Sequence, residues 1–333
     1  MSSKAIVVTT INAPNDAIRD IVREAPDWDL LIVGDTKTPA DWSFPGAQFL
    51  DVPAQEALPF HFPRLCPTRH YARKNIGYLQ AIKGGATMIA ETDDDNLPYE
   101  GWLKNPSKMI SVKRVQKQGW ENVYVHFSRE RIWPRGFPLE YINESLRAVS
   151  PLGASESVEC AIQQFLANDN PDVDAVFRLT YDGEIKFTPN RIFLAEGTFC
   201  PFNSQNTIWW PEAYPLMYLP AFVSFRMTDI WRSFIAQICL YAMGGHLAFC
   251  EATMYQIRNE HSLIRDFKDE VPGYLNNVRI LEILSGLSLS SDPKQCGDNL
   301  HRCYAALVAA DIVPAQEMPL VEAWLSDMAE LGA

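Results

Sequence analysis

The apolar run Ala86-Thr87-Met88-Ile89-Ala90 leads directly into Glu91-Thr92-Asp93-Asp94-Asp95-Asn96, so three adjacent carboxylates stand where a strand should end. Neighbouring anions repel one another, and a folded domain that keeps such a cluster needs a counter-charge. Asp93 and Asp95, two residues apart, project from one side of an extended segment. Two readings are open. One is a site for a hard divalent cation, Mg²⁺ or Mn²⁺, which completes its shell with water and phosphate oxygens. The other is a solvated acidic turn with Asp95 as a helix N-cap.

The residues before this run alternate strand and helix patterns as a parallel sheet requires. Ala5-Ile6-Val7-Val8-Thr9-Thr10 is a β-branched strand, and Pro14 opens a helix whose stripe is Ile18, Ile21 and Val22, ending near Pro26. Leu30-Leu31-Ile32-Val33 is a second strand stopped by Gly34, and Ala47-Gln48-Phe49-Leu50 a short third. Pro67 and Thr68 then open a helix through Tyr71, Ile76, Leu79 and Ile82 to Gly84-Gly85. Ligands of open α/β sheets bind at the carboxyl ends of strands, here positions 10–12, 34–37 and 93–95.

The middle of the chain, about 100–225, is rich in aromatics and prolines, with short strands expected at 173–180 and 185–187 around Asp182-Gly183. A helix capped by Thr228 or Asp229 carries Ile230, Phe234, Ile238 and Tyr241 and ends at Gly244-Gly245. Residues after about 262 read as helices at 275–287, 301–310 and 319–331. The division expected is a nucleotide-binding unit over 1–261 and a helical C-terminal extension over 262–333. The aromatic middle and the helical tail serve partner contacts, core packing or a homodimer face.

A formal charge of −12 argues against nucleic-acid partners, which need a concentrated basic footprint. The N-terminus Met1-Ser2-Ser3-Lys4 runs into a strand without a basic-then-apolar leader, and no apolar run reaches the length of a membrane span. The expectation is a cytoplasmic protein without an integral membrane segment. Seven scattered cysteines, with no Cys-x-x-Cys pair, point to reduced thiols, with a single Cys296–Cys303 bridge left open as an alternative.

Several groups can carry chemistry. Arg69 and Arg73, four residues apart, share a helix face with Lys74 and Asn75 nearby; that face meets phosphates or is simply solvated. Asp35 and Lys37, past a strand end, suit a ribose hydroxyl and a base or phosphate, or a plain turn. Arg226, Asp229 and Arg232 gather two guanidiniums and a carboxylate around a helix N-terminus, where both arginines are candidates for the sugar or acceptor and Asp229 is a general base, a sugar-hydroxyl ligand or a cap. Asn203-Ser204-Gln205-Asn206-Thr207 offers neutral donors and acceptors for sugar hydroxyls or for a turn. His261 completes a metal shell, contacts a diphosphate or is structural, and His246 is a loop or strand residue.

Tyr71-Ala72-Arg73-Lys74-Asn75-Ile76-Gly77-Tyr78-Leu79 followed by Thr92-Asp93-Asp94-Asp95-Asn96 resembles the STELLO family. So do Val7-Val8-Thr9-Thr10-Ile11-Asn12, Val33-Gly34-Asp35-Thr36-Lys37-Thr38-Pro39, Phe177-Arg178-Leu179-Thr180, residues 203–207, residues 225–232 and Arg258-Asn259-Glu260-His261, so that the likeness covers roughly 4–275. The arginine-bearing helix before the aspartates is also similar to the reversibly glycosylated polypeptides that act as UDP-arabinopyranose mutases. Both likenesses imply a GT-A-like, Rossmann-type nucleotide-sugar-binding mixed sheet. They imply that Asp93 and Asp95 hold a metal on the donor diphosphate, that Asp94 lies near the donor ribose or sugar, and that Thr10, Asn12, Asp35, Arg73 and Lys74 border the nucleotide.

The function expected is a metal-dependent transfer of a sugar from a nucleotide diphosphate, a UDP-sugar, to a carbohydrate or other hydroxyl-bearing acceptor. Arg73 and Lys74 add positive charge at the diphosphate, and Asp229 is the candidate base if the reaction inverts. The alternatives are a UDP-sugar mutase, in which Arg178 or Arg226 near the sugar matters most, and a non-catalytic scaffold or assembly factor that keeps the fold.

Overall fold

The computed structural model describes residues 3–257 and 262–333. Arg258, Asn259, Glu260 and His261, and with them the role expected of His261, lie outside the described residues.

The β-branched run at the start forms Lys4–Thr9, which pairs in parallel with Asp29–Val33 on one side and with Met88–Asp93 on the other. Ala47–Leu50 adds a further parallel strand outside Asp29–Val33. Thr9 stands opposite both Val33 and Asp93, so three separate segments finish on one line. Side chains alternate between faces, as a strand dictates. Val7, Leu31 and Val33 enter one core, while Ile6, Val8, Leu30 and Ile32 enter a second with Ile18 and Ile21 of the helix Asp16–Glu24. Asn15 starts that helix by accepting from the Ile18 N–H at 3.1 Å.

Beyond the aspartate strand the sheet continues through Asn206–Trp209, Ile162–Asn168, Leu247–Gln256, Arg191–Leu194, Met109–Val115 and Leu152–Glu159, with Asn96–Pro98 paired to Leu247–Gln256. The expected mixed α/β sheet is therefore present. Its strand directions decide what reaches the aspartates. Asn206–Trp209 is antiparallel to Met88–Asp93 and starts at the aspartate edge, which brings residues 203–205 beside Asp93. Ile162–Asn168 is antiparallel to Asn206–Trp209 and parallel to Leu247–Gln256, so both end at that same edge.

The helix before the aspartate strand starts later than its sequence pattern suggests. Arg69 takes a left-handed conformation with φ 58°, and the regular helix spans Lys74–Lys83 after a tight turn over Tyr71–Arg73. Arg69 and Arg73 consequently do not share a helix face. Gly77 lets this helix lie directly on the sheet, because a Cβ there would meet Val7 Cγ1 at 2.4 Å and Val33 Cγ2 at 2.7 Å.

The strand expected at 173–180 is instead the helix Ala175–Thr180, and residues 185–187 contribute only a bridge between Asp169 and Ile185. The cause is Asp174, whose Oδ1 caps the Phe177 N–H at 2.7 Å while Oδ2 accepts from Trp133 Nε1 at 2.7 Å. Burial pushes the Asp174 carboxyl up to about 7. Its folded-state value lies above the ~3.9 of an unfolded chain, so its contribution to stability is full below about pH 4 and is lost as pH rises through about 7. Asp174→Asn removes that dependence. The difference between variant and wild-type melting temperatures should rise between about pH 4 and 7 and level off above it; a constant difference would show that Asp174 does not titrate there.

The helix Thr228–Ala242 has no side-chain cap from Thr228 or Asp229, because Asp229 is committed elsewhere and a turn over Phe225–Met227 leads in. The tail forms Leu263–Ser285, Cys296–Ala309 and Met318–Glu330, longer than expected for the first. These helices share the core of the sheet. Trp324 meets Phe62 and Tyr218 edge-on or tilted, and Asp327 accepts from the His61 and Phe62 N–H groups at 2.8 and 2.9 Å. All seven cysteines are free and buried, and the sulfur near Cys303 is that of Cys239, at 3.7 Å. Among the described residues no helix is long and apolar enough to cross a membrane.

Candidate active site

A cleft of about 800 Å³ opens at the carboxyl edge of the sheet. Thr10, Asn12, Asp35, Lys37, Arg69, Arg73, Asp93, Asp94, Asp95, Arg178, Gln205, Arg226 and Asp229, all singled out in the sequence, line it. The strand registers bring together the ends at Thr10, Asp35, Asp93 and Gln205, while Arg178, Arg226 and Asp229 arrive on the helices Ala175–Thr180 and Thr228–Ala242 and the turn before the latter.

The three aspartates have three different environments. Asp94 reaches back to the first strand, where its Oδ2 accepts from the Thr10 hydroxyl and from Asn12 Nδ2, and its carbonyl accepts from Asn15 Nδ2 at 2.7 Å. Asp93 Oδ1 accepts from the Tyr71 hydroxyl at 2.7 Å and from Lys74 Nζ at 3.0 Å. Burial raises the Asp93 carboxyl against the opposing pull of Lys74. Asp95 Oδ2 accepts from Gln256 Nε2 at 3.1 Å, but its Oδ1 is buried with no partner among the described residues. Burial first, then the Asp93 charge, pushes the Asp95 carboxyl up to about 7.

An orphaned carboxylate oxygen beside a second carboxylate is an unfavourable arrangement for the protein alone. It fits a hard divalent cation held by two protein carboxylates, the rest of the shell coming from water or phosphate. Among the described residues no set of three His, Cys, Asp or Glu side chains is placed to hold a metal by itself.

Lys74 does not reach the cleft. It is fully buried beneath Asp93, where it also donates to the Thr92 carbonyl at 2.7 Å and to the Tyr71 oxygen at 2.7 Å. Its charge acts through Asp93 rather than on a ligand. Arg73 is nearly as buried, donating to Gln55 Oε1 at 2.7 Å and to the Cys66 carbonyl at 3.1 Å, while its Nη2 has no partner among the described residues. Arg69 stays exposed, with Nε 3.4 Å from the Thr36 hydroxyl. Asp35 accepts from the His70 N–H at 3.1 Å, which ties the second strand end to the turn before Tyr71.

The role of general base expected for Asp229 does not survive its surroundings. Arg135 donates Nη1 to Asp229 Oδ1 at 2.9 Å and Nη2 to Oδ2 at 2.8 Å, and Ser204 adds its N–H and hydroxyl at 3.3 Å. Burial alone would raise this carboxyl, but the Arg135 and Arg232 charges hold it well below the ordinary carboxylate range. A carboxylate held that acidic is a poor proton acceptor. Arg135 is equally committed: Nε and Nη2 also donate to Asp172 at 2.7 and 2.9 Å, and Nη1 to the Arg226 carbonyl. A continuous polar chain thus runs from Asp93 through Tyr71, Ser204, Asp229 and Arg135 to Asp172. Asp229 is held in place by Arg135 and Ser204.

Asp229→Asn should cost about 2 kcal/mol, less than the ~3–5 kcal/mol of an uncompensated buried ion pair, because Asp172 still faces Arg135. Denaturant unfolding measures the loss. Nucleotide-induced thermal stabilisation should stay unchanged, and its disappearance would place Asp229 on the ligand instead.

Two further expectations are corrected. Arg232, expected on the sugar or acceptor, lies outside the cleft, buried and paired through both terminal nitrogens with Glu91 at 2.9 and 2.8 Å. Asn203 also lies outside it and orders the turn, its N–H donating to Gln164 Oε1 at 2.8 Å and its Oδ1 accepting from the Gln205 N–H at 3.0 Å. Arg178 lines the cleft while donating to the Pro171 carbonyl at 2.6 Å, and Arg226 does so while donating to Glu270 Oε1 at 3.0 and 2.8 Å. Sequence reasoning missed Arg135, Asp172 and Gln256 as site residues. Arg135 sits in Trp133-Pro134-Arg135-Gly136, where no periodic pattern marks it; Tyr71 was legible only as part of a motif.

The chain matches the family model described as STELLO glycosyltransferases over residues 226–333. Two Arabidopsis thaliana proteins, Probable glycosyltransferase STELLO2 and Probable glycosyltransferase STELLO1, are each 28% identical to it over 99% of this chain and 45% of their own length. The chain therefore spans about half the length of the curated relatives it matches. Among solved structures, M. tuberculosis glucosyl-3-phosphoglycerate synthase superposes with a TM-score of 0.39 at 9% identity, over 82% of this chain and 80% of that one. A second, described as a mycobacterial protein, superposes with a TM-score of 0.36 at 11% identity, over 93% of this chain and 75% of that one.

Proposed function

Because this chain is a relative of the STELLO glycosyltransferases, we propose that it is a metal-dependent glycosyltransferase that takes a sugar from a UDP-sugar and gives it to a hydroxyl-bearing acceptor. The observation that carries this reading is the Asp93–Asp95 pair, with its buried unpartnered Oδ1, at the edge of a cleft large enough for a nucleotide sugar.

Asp93 and Asp95 would hold Mn²⁺ or Mg²⁺. Such a cation supplies positive charge to a departing diphosphate. The chain's own residues prepare that position. Lys74 and Tyr71 fix Asp93 from below, and Gln256 fixes one oxygen of Asp95. Thr10 and Asn12 hold Asp94 on the side of the first strand, where Asp35 and Lys37 also face the cleft; these residues border the nucleoside. The unpartnered Nη2 of Arg73 and the exposed Arg69 add positive charge for phosphate oxygens on that side. The wall formed by Arg135, Asp172 and Asp229 is a closed ion-pair unit that shapes the site without carrying a proton.

The test is thermal stabilisation by UDP, GDP, ADP and their sugar conjugates, with and without Mn²⁺. A ligand that binds only the folded state raises the melting temperature by mass action. A Mn²⁺-dependent shift with uridine nucleotides alone is expected, and turnover of the UDP-sugar only after acceptor is added would separate a transferase from a mutase. If no nucleotide shifts the transition with Mn²⁺ present, the reading fails.

A further inference from the structure

The acceptor side of the cleft carries an aromatic side chain that its own packing does not require. Phe225 lines the cleft and keeps 57% of its surface exposed. A phenyl ring left in water forgoes the burial its apolar surface favours, and at the mouth of a cleft on a firmly held backbone it is available to a ligand.

That backbone is firmly held. The turn Phe225–Met227 is tied down on both sides: the Arg226 side chain bonds Glu270, the Arg226 carbonyl accepts from Arg135, and the Ser224 hydroxyl donates to the Asp269 carbonyl. Just upstream, the buried Glu317 carboxylate accepts from the Ala221 and Phe222 N–H groups at 2.9 and 2.7 Å. The ring itself makes near-perpendicular contacts with His70 and Tyr71, at centroid distances of 6.4 and 6.2 Å. Tyr71 in turn holds Asp93, so the exposed ring stands one side chain away from the carboxylate pair.

We propose that Phe225 is the platform of an acceptor subsite for a pyranose ring; this rests on the glycosyltransferase reading above. A pyranose presents apolar C–H groups on its faces and hydroxyls around its rim. Phe225 matches the first requirement, and the Asp266, Asp269 and Gln205 side chains on the same cleft match the second as hydrogen-bond partners.

The test uses the full chain with methyl β-D-glucopyranoside, methyl β-D-galactopyranoside and methyl α-D-mannopyranoside as probes, read by saturation-transfer NMR, alongside the Mn²⁺–UDP thermal shift. Phe225→Ala should weaken binding of the preferred pyranoside about tenfold, Phe225→Tyr should restore it, and the UDP shift should be the same in all three proteins. Three results overturn the proposal. These are a wild type that binds none of the pyranosides, a Phe225→Ala protein that binds them as well as wild type does, and a Phe225→Ala protein that loses the UDP shift, which would make the ring a nucleobase platform. A wild type without any UDP shift defeats the donor reading alone, since the pyranoside arm is read independently.

Discussion

Converting Asp93 and Asp95 together to asparagine is expected to erase the Mn²⁺-dependent thermal stabilisation by uridine nucleotides. At a nucleotide concentration about a hundred times the dissociation constant, the wild type gains ~2.7 kcal/mol. The variant should gain none, a loss of about a hundredfold or more in affinity. Misfolding is not the expected cause. In the ligand-free protein, burial and the Asp93 charge have already pushed the Asp95 carboxyl up to about 7, with Oδ1 unpartnered. Asp95→Asn alone removes a charge that burial disfavours, so that single variant should melt no lower than wild type at pH 8, whereas Asp93→Asn takes the counter-ion from the buried Lys74 and should lower the melting temperature of the double variant. An Asp95→Asn protein that melts much lower without ligand would mean that Asp95 serves the fold. A variant that keeps the Mn²⁺-dependent shift would move the cation, if bound, to another site.

Arg232→Ala is expected to destabilise the protein by about 3–5 kcal/mol while leaving nucleotide binding by the remaining folded fraction intact. Glu91 lies in the middle of the aspartate strand with no exposed surface, and its carboxylate is met by both terminal nitrogens of Arg232, by Trp209 Nε1 at 2.8 Å and by the Tyr78 hydroxyl. The guanidinium is in turn near the rings of Trp209 and Phe202, 4.9 and 5.8 Å from their centroids. Removing the cation strands a buried anion, and that unpaired charge dominates the cost. Pairing Arg232→Met with Glu91→Gln should recover most of the loss, because the amide oxygen still accepts from Trp209 or Tyr78 and no charge is left unmatched. Urea unfolding of the single and double variants measures the coupling. An Arg232→Ala protein of normal stability that no longer binds ligand would return Arg232 to the site.

The strand ends were legible because their signals are local. A β-branched run ending at Thr10, another stopped by Gly34, and an apolar run ending in three aspartates each define an end without reference to the rest of the chain, and parallel pairing lines the three ends up. The helix Ala175–Thr180 was misread for a matching reason. Val173, Val176, Phe177 and Thr180 have strand-like chemistry, and the choice was made by Asp174, whose two oxygens are fixed by a cap and by a tryptophan 41 residues away. The turn at Arg69 likewise broke a helix that the apolar spacing alone would have carried back to Pro67.

By itself, the sequence determined which strand ends meet at the cleft and which carboxylates stand there, since strand period and strand termination are properties of neighbouring residues. Only the tertiary structure decided what each charged group does. Arg135 meets Asp229 across 94 positions and Arg232 meets Glu91 across 141, and those encounters put an expected base and an expected sugar ligand into buried ion pairs. Desolvation and Coulomb interaction depend on burial and on separations of a few ångströms, which pattern along the chain does not encode.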